Sequence, residues 1–343
     1  MTQVHDHRGG VRSVEVPIPD NPLGHTLVYV VDTDRGPVLI DTGWDDPASW
    51  DTLVAGLTAC GTSVAEVYGV VVTHHHPDHH GLVGRVRDAS GAWIALHAAD
   101  AAIVRRTRET RPESWFAYMA AKLTAAGAPE EHIAPLRAAP RRVPAGLSPA
   151  LPDREIVPGE LLDLPGRRLR AIWTPGHTPG HVCLHLEEQH PQQPAGGHGR
   201  LFSGDHLLPE ITPHIGLYED PDDATVTDPL GDYLDSLERV GRLRPAEVLP
   251  AHQHPFTDAP SRVRELLAHH EERLTGLLTL LATPLTTWQL AERMEWNRPW
   301  EQIPYGSRNI AVSEAEAHLR RLVKLGRAEA VAGSDPVTYV AAG

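Results

Sequence analysis

At 343 residues, with 41% hydrophobic and 22% charged side chains, the chain has an ordinary globular composition and exceeds one typical domain, which predicts a large domain with a smaller appendage. No apolar run is long enough to cross a bilayer, and a formal net charge of -14 repels polyanions, so a membrane span and a nucleic-acid substrate are both disfavoured. The 22 histidines cluster rather than scatter, which points to metal.

The opening stretch MTQVHDHRGGVRSVEV contains no apolar core of the secretory kind. Cys60 and Cys183 are the two cysteines, expected to be reduced, buried and without catalytic role in a cytoplasmic protein. Residues 26–41 (TLVYVVDTDRGPVLID) read as two β-branched strands around a turn at 32–37, where Asp, Gly and Pro supply the turn chemistry. Helical spacing follows at 49–60, and 67–73 (VYGVVVT) is a continuous apolar run of the kind a buried strand needs.

A strand is expected at 92–96 and helix over about 98–139, followed by a Pro-rich passage at 139–158. A second group of strands is expected at 161–164, 169–173, 181–186 and 201–203, with 190–199 (HPQQPAGGHG) as a surface loop. Helix is predicted at 232–240, a short strand at 247–250 and a long helix at 261–281. The remainder reads as helix 286–294, helix 313–325 and a hairpin over 328–341 turning at Gly333 and Ser334, an order that resembles a winged helix.

The chemistry lies in residues 73–80, THHHPDHH, directly after the apolar run. They fit H-x-H-x-D-H, a pattern for which this composition gives only about 0.01 chance matches, so coincidence is set aside. A loop leaving a strand can aim His74 and His76 at one metal while Asp78 and His79, one turn on, face another; imidazole and carboxylate donors suit zinc.

Five motifs in order then resemble those of the metallo-β-lactamase superfamily: Asp41 in LIDTG, the H-x-H-x-D-H stretch, His177 in TPGHT, Asp205 in SGD and His252 in PAH. The last departs slightly, with Ala251 where Gly is common. The resemblance spans about residues 20–265 and implies an α/β fold, an αββα sandwich. Residues 1–268 would form the catalytic domain, with a helical insertion at about 98–140, and 269–343 a winged-helix-like α+β domain.

It further implies one metal held by His74, His76 and His177, a second by Asp78, His79 and His252, Asp205 bridging, and Asp41 behind them orienting ligands. The cofactors would be two divalent ions, zinc first, with iron or manganese as alternatives. A water shared by two dications falls from a pKa of about 15.7 towards roughly 7 and would give the hydroxide nucleophile, with Asp78 as the catalytic carboxylate aiming it.

The same ligands serve thioester hydrolases such as glyoxalase II, lactonases and nucleases, so the substrate is argued from elsewhere. Residues 111–123 (RPESWFAYMAAKL) concentrate Trp115, Phe116 and Tyr118 in a chain only 5% aromatic, which reads either as ordinary core packing or as a lid giving the metal site an apolar wall. His206, His214 and Tyr218, after the bridging carboxylate, are further candidate substrate contacts, whereas His75, His80, His181 and His254 read as surface or hydrogen-bonded core residues. The expected substrate is a small or carrier-bound acyl thioester, ester or lactone, and a homo-oligomer is compatible with the sequence. The main alternative is a metal-dependent endoribonuclease or phosphodiesterase; a mononuclear iron dioxygenase and a nucleic-acid-binding regulator are weaker ones. From residue 271 onward nine acidic side chains meet eight basic ones, without the cationic surplus that phosphate binding requires.

Overall fold

The computed structural model describes residues 3–109, 112–138, 149–188, 197–218 and 225–343, with backbone only for 112–115. Most of the expected 190–199 loop and the first part of the Pro-rich passage lie outside the described residues. The chain divides into two compact units: one of residues 1–107, 148–213 and 235–264, the other of 108–147, 214–234 and 265–343.

The first unit is built on two sheets. Seven strands form one, in chain order: β1 (Val4–Asp6), β2 (Val11–Pro17), β3 (His25–Val31), β4 (Val38–Ile40), β5 (Gly69–Val71), β6 (Trp93–His97) and β7 (Arg154–Ile156). β1 to β4 are antiparallel neighbours, and β4 to β7 are parallel. The second sheet has β8 (Leu169–Trp173), β9 (Val182–Leu186), β10 (Arg200–Gly204) and β11 (Glu247–Pro250) in the order β11-β10-β9-β8, with β10 and β11 parallel.

Period-two alternation builds the layers, because successive strand side chains point to opposite faces. Val14, Val16, Val28, Val30, Val70 and Ile94 face one way and pack on Leu53 and Leu57 of α1 (Pro47–Ala59) and on Val83 and Val86 of α3 (Val83–Ser90), which follows the single-turn helix α2 (Pro77–His80). Leu27, Tyr29, Val31, Ile40, Val71 and Ala95 face the other way and meet Leu169, Ala171, Val182, Leu184 and Phe202 of the second sheet. The arrangement is an αββα sandwich.

The helical stretch is described as α4 (Ala98–Glu109), α5 (Pro112–Ala125) and α6 (Glu130–Arg137), with the Gly127–Pro129 region separating α5 from α6. Later come α7 (Pro229–Leu243) and α8 (Ala259–Leu280). The second half of α7 lies against the end of β8, where Ser236 donates to Pro175 O at 3.1 Å and Arg239 to Trp173 O at 3.1 Å.

In the second unit, β12 (Leu285–Thr286), α9 (Thr287–Arg293), α10 (Arg308–Lys324), β13 (Ala328–Ala330) and β14 (Thr338–Ala341) follow in order, the strands forming a three-stranded antiparallel sheet with β14 central. Thr286 caps α9 through a capping box with Gln289.

Several elements differ from the sequence reading. β1 and β2 were not expected, since Arg12 and Glu15 interrupt the apolar pattern; β2 is nonetheless flanked on both sides, and the two charges occupy its half-exposed positions. The strand expected at 161–164 is reduced to a single bridge between Leu161 and Arg170, just before Pro165 and Gly166 turn the chain. β7 lies inside the passage read only as Pro-rich.

Candidate metal centre

The candidate ligands leave the carboxyl ends of strands in both sheets. Asp41 follows β4, His74 stands three residues beyond β5, His177 lies in the turn after β8, Asp205 directly follows β10, and His252 comes two residues after β11. Pro77, fixed in φ, opens α2 and carries Asp78 and His79 onto its single turn.

His74, His76 and His177 turn three nitrogens towards one another. His74 Nε2 lies 2.9 Å from His76 Nδ1 and 3.2 Å from His177 Nε2, and His177 Nε2 lies 3.0 Å from His76 Nδ1. Nitrogens held tetrahedrally at about 2.0–2.1 Å from zinc stand about 3.3 Å apart, so the spacing fits one small dication. Asp205 Oδ2 completes the group, 3.4 Å from His177 Nε2 and 4.0 Å from His74 Nε2.

Asp78, His79 and His252 form a second group. Asp78 Oδ2 is 3.4 Å from His79 Nε2 and 3.3 Å from His252 Nε2. Asp205 reaches this group with its other oxygen, Oδ1 lying 3.4 Å from His79 Nε2 and 3.2 Å from His252 Nε2. One carboxylate therefore addresses both groups, one oxygen to each.

The donor chemistry tests whether cations fit. His79 Nδ1 donates to Asp41 Oδ2 at 2.8 Å, and His252 Nδ1 donates to the His25 carbonyl at 2.9 Å. In the neutral rings the Nε2 lone pairs then face the Asp78 and Asp205 oxygens, acceptor against acceptor. His79 Nε2, His252 Nε2 and Asp205 Oδ1 are buried and form no well-directed hydrogen bond. Only a positive charge resolves that arrangement, and a divalent ion does so with all donors unprotonated.

Electrostatics follow the same division. Burial opposes charge on His252, yet the Asp205 and Asp78 carboxylates outweigh it and push the ring up to about 10. His79 is likewise raised against burial by Asp78, Asp205 and Asp41. His74 and His76 move well below the ordinary histidine value because they are buried among other imidazoles. Asp78 and Asp205 lie well below the ordinary carboxylate value; burial opposes this, and the neighbouring His79 and His252 overcome it.

Asp41 reaches its position through a left-handed backbone with φ of 59°, and backbone of that kind in a non-glycine residue persists where surrounding bonds enforce it. Its carboxylate accepts from Thr73 N at 2.8 Å and from Thr73 Oγ1 at 2.9 Å as well as from His79. Thr73 Oγ1 in turn lies 3.1 Å from His74 Nδ1, leaving His74 Nε2 for the first group.

The structure thus brings His74, His76, Asp78, His79, His177, Asp205 and His252 together, with Asp41 behind them. His206 is wholly buried, its ring 5.8 Å from that of His181, and burial lowers it to about 3. His214 and Tyr218 line a cavity of about 180 Å³ in the second unit with Tyr118, Met119 and Ile310; Phe116 is half-buried and not among its lining residues, and the side chain of Trp115 lies outside the described residues. His214 Nδ1 is 3.2 Å from Glu314 Oε2.

His181, read as a core histidine, accepts from Asp205 N through Nε2 at 3.2 Å and has Nδ1 2.8 Å from Thr174 Oγ1, so it props the backbone of the shared carboxylate. Thr73, His25 and Asp100 were missed as supports. Thr73 abuts the motif; Asp100 stands at a strand-to-helix junction, the one signal it offers.

With this geometry in hand, the similarities to known proteins agree. The profile of the metallo-beta-lactamase superfamily matches residues 21–252. A metallo-beta-lactamase family protein from Thermus thermophilus superimposes with a TM-score of 0.77 at 30% identity, covering 98% of this chain and 100% of that one. A beta-lactamase domain protein from Burkholderia ambifaria gives 0.77 at 25% identity, covering 99% and 94%. The lactamase-like protein nscB of Aspergillus fumigatus is 26% identical over 76% of this chain, which spans only 57% of that protein.

The chain belongs to the metallo-beta-lactamase superfamily. Among the described residues no helix is long and apolar enough to cross a membrane.

Proposed function

We propose that this protein is a binuclear hydrolase of acyl thioesters or related esters and lactones with an apolar acyl part. The observation that carries the binuclear reading is Asp205, whose Oδ2 faces His177 and whose Oδ1 faces His79 and His252. His74, His76 and His177 would hold one cation and Asp78, His79 and His252 the other, with zinc favoured by the nitrogen-rich donor set. When bound, the ions supply Lewis acidity, making water acidic enough to deprotonate near neutral pH and stabilising the oxyanion that develops at the scissile carbonyl.

The chain's own residues supply orientation. Asp78 turns Oδ2 to His79 and His252, and its other oxygen is the acceptor for the proton of the attacking water. Asp41, Thr73 and the His25 carbonyl lock His79, His74 and His252 in the tautomers that point Nε2 inward, so little reorganisation accompanies the reaction.

Support for an apolar acyl part comes from the second unit's cavity, whose Tyr118, Met119, Leu123, Tyr218, Ile310 and Val312 offer apolar surface to a ring or short chain. We read the C-terminal helices and three-stranded sheet as a winged-helix-like module with its boundary near 268. Its nine acidic and eight basic side chains from residue 271 onward disfavour the endoribonuclease alternative.

A panel of acyl thioesters, lactones, β-lactams and structureless RNA, with metal content determined on the same sample, tests the reading. Preferential thioester turnover at close to two ions per chain is expected; RNA cleavage without thioester turnover overturns it.

A further inference from the structure

Asp100, in the first turn of α4, is wholly buried and belongs to neither ligand group. Its Oδ2 accepts from His75 N at 2.9 Å and from Thr178 Oγ1 at 2.8 Å, and lies 3.1 Å from His75 Nδ1. Oδ1 accepts from Gly180 N at 2.6 Å. His75 stands between His74 and His76, and Thr178 directly follows His177. A single carboxylate therefore joins the two loops that carry all three histidines of the first group.

We propose that Asp100 is the positioning residue of the first metal group, fixing the distance between the His74–His76 loop and the His177 loop before any ion binds. The inference rests on the metal-centre part of the proposed function and not on the choice of substrate.

The structural cost of the arrangement supports a role beyond filling space. An ionised carboxylate without solvent contact is expensive to bury, and an apolar side chain would occupy the same volume more cheaply. Here donors from both loops compensate the charge. Burial works to raise the Asp100 carboxyl, and the His75 ring with the Thr178 and His75 hydrogen bonds brings it below its ordinary value.

The chain also keeps a glycine where the carboxylate approaches: a Cβ on Gly180 would lie 2.5 Å from Asp100 N and 2.6 Å from Asp100 Oδ1. Asp41 plays the corresponding part for His79 from another strand end, so each group has its own buried carboxylate behind it. Outer partners of this kind typically change metal affinity by about 10- to 100-fold when removed.

The test uses the full chain in a His252→Ala background, which disables the second group. Zinc affinity of the metal-free protein is read by competition with a chromophoric chelator, and the cobalt form supplies an absorption spectrum. Adding Asp100→Asn should weaken zinc about 10- to 100-fold and alter the cobalt spectrum, with the melting temperature of the metal-free protein recorded alongside. Thr178→Val, which removes one arm alone, should weaken zinc by about tenfold and decides the matter if Asp100→Asn does not fold. Affinity within about twofold of the parent in the folded variants, whatever their melting temperatures, overturns the proposal.

Discussion

His79 donates its Nδ1 proton to Asp41 Oδ2 at 2.8 Å, with both side chains buried. Since the same carboxylate accepts from Thr73 N, one residue with a left-handed backbone fixes both a ring tautomer and the start of the histidine loop. Asp41→Asn keeps the shape but presents an amide that satisfies only part of this network. It should lower affinity for the second ion by about 10- to 100-fold, measured by chelator competition. Two ions bound with parental affinities would show Asp41 to be dispensable.

Asp205→Ala removes a carboxylate that faces both ligand sets and leaves two adjacent cations without that shared anion. Turnover on whichever substrate is found should fall about 100-fold or more, with stoichiometry dropping below two ions per chain. Elemental analysis and steady-state kinetics on one preparation decide it; near-parental turnover would refute the bridging role.

Histidines in the second unit predict an acid-sensitive region. His318 Nδ1 donates to Glu314 O at 2.8 Å, and His270 Nδ1 lies 3.1 Å from His318 Nε2, so both rings are held neutral. Burial lowers His270 to about 3, helped by His318, and lowers His318 to about 4. Between the folded values and about 6.5 the unfolded chain binds protons that the folded chain refuses, so stability falls as pH drops through that window.

His318 alone accounts for at most about 3 kcal/mol of this loss. Glu314, lowered to about 2 against burial by its hydrogen bond with His214 and by the Arg273 guanidinium, contributes stability above its ordinary value that disappears only below about pH 4.5. Protection factors of amides in α8 and α10 of the metal-free protein, taken relative to the intrinsic exchange rate at each pH, should fall from pH 7 to pH 5, and His318→Gln should flatten that dependence. An equal slope in the variant would count against the histidine pair.

The second unit's cavity gives a prediction on selectivity. Ile310 lines it and is 48% exposed, so enlarging this side chain fills the cavity without overpacking a core. Ile310→Trp should reduce kcat/KM for long or aromatic acyl thioesters by about 10- to 200-fold relative to acetyl ones, at unchanged metal content. An unaltered chain-length preference would show that this cavity takes no part in acyl selectivity.

The sequence by itself determined the ligand types and their order, because metal chemistry demands particular donor atoms and H-x-H-x-D-H crowds four of them into one loop. It also determined most of the sandwich, through apolar runs such as 67–73 and the period-two pattern of 26–31. It placed Asp41 behind the ligands, but it could not decide which oxygen of Asp205 serves which group, which ligand Asp41 would hold, or that Asp100 would back the other group: these partners are tens of residues apart and meet only when the loops converge. β2 was missed for a related reason, since Arg12 and Glu15 mask its pattern until neighbouring strands on both sides leave them the half-exposed positions. Tertiary structure likewise separated the candidate substrate residues, burying His206 while placing Tyr118, His214 and Tyr218 around one cavity. Proximity along the chain carries no information about which side of a strand end a residue will face; packing against the rest of the fold supplies it.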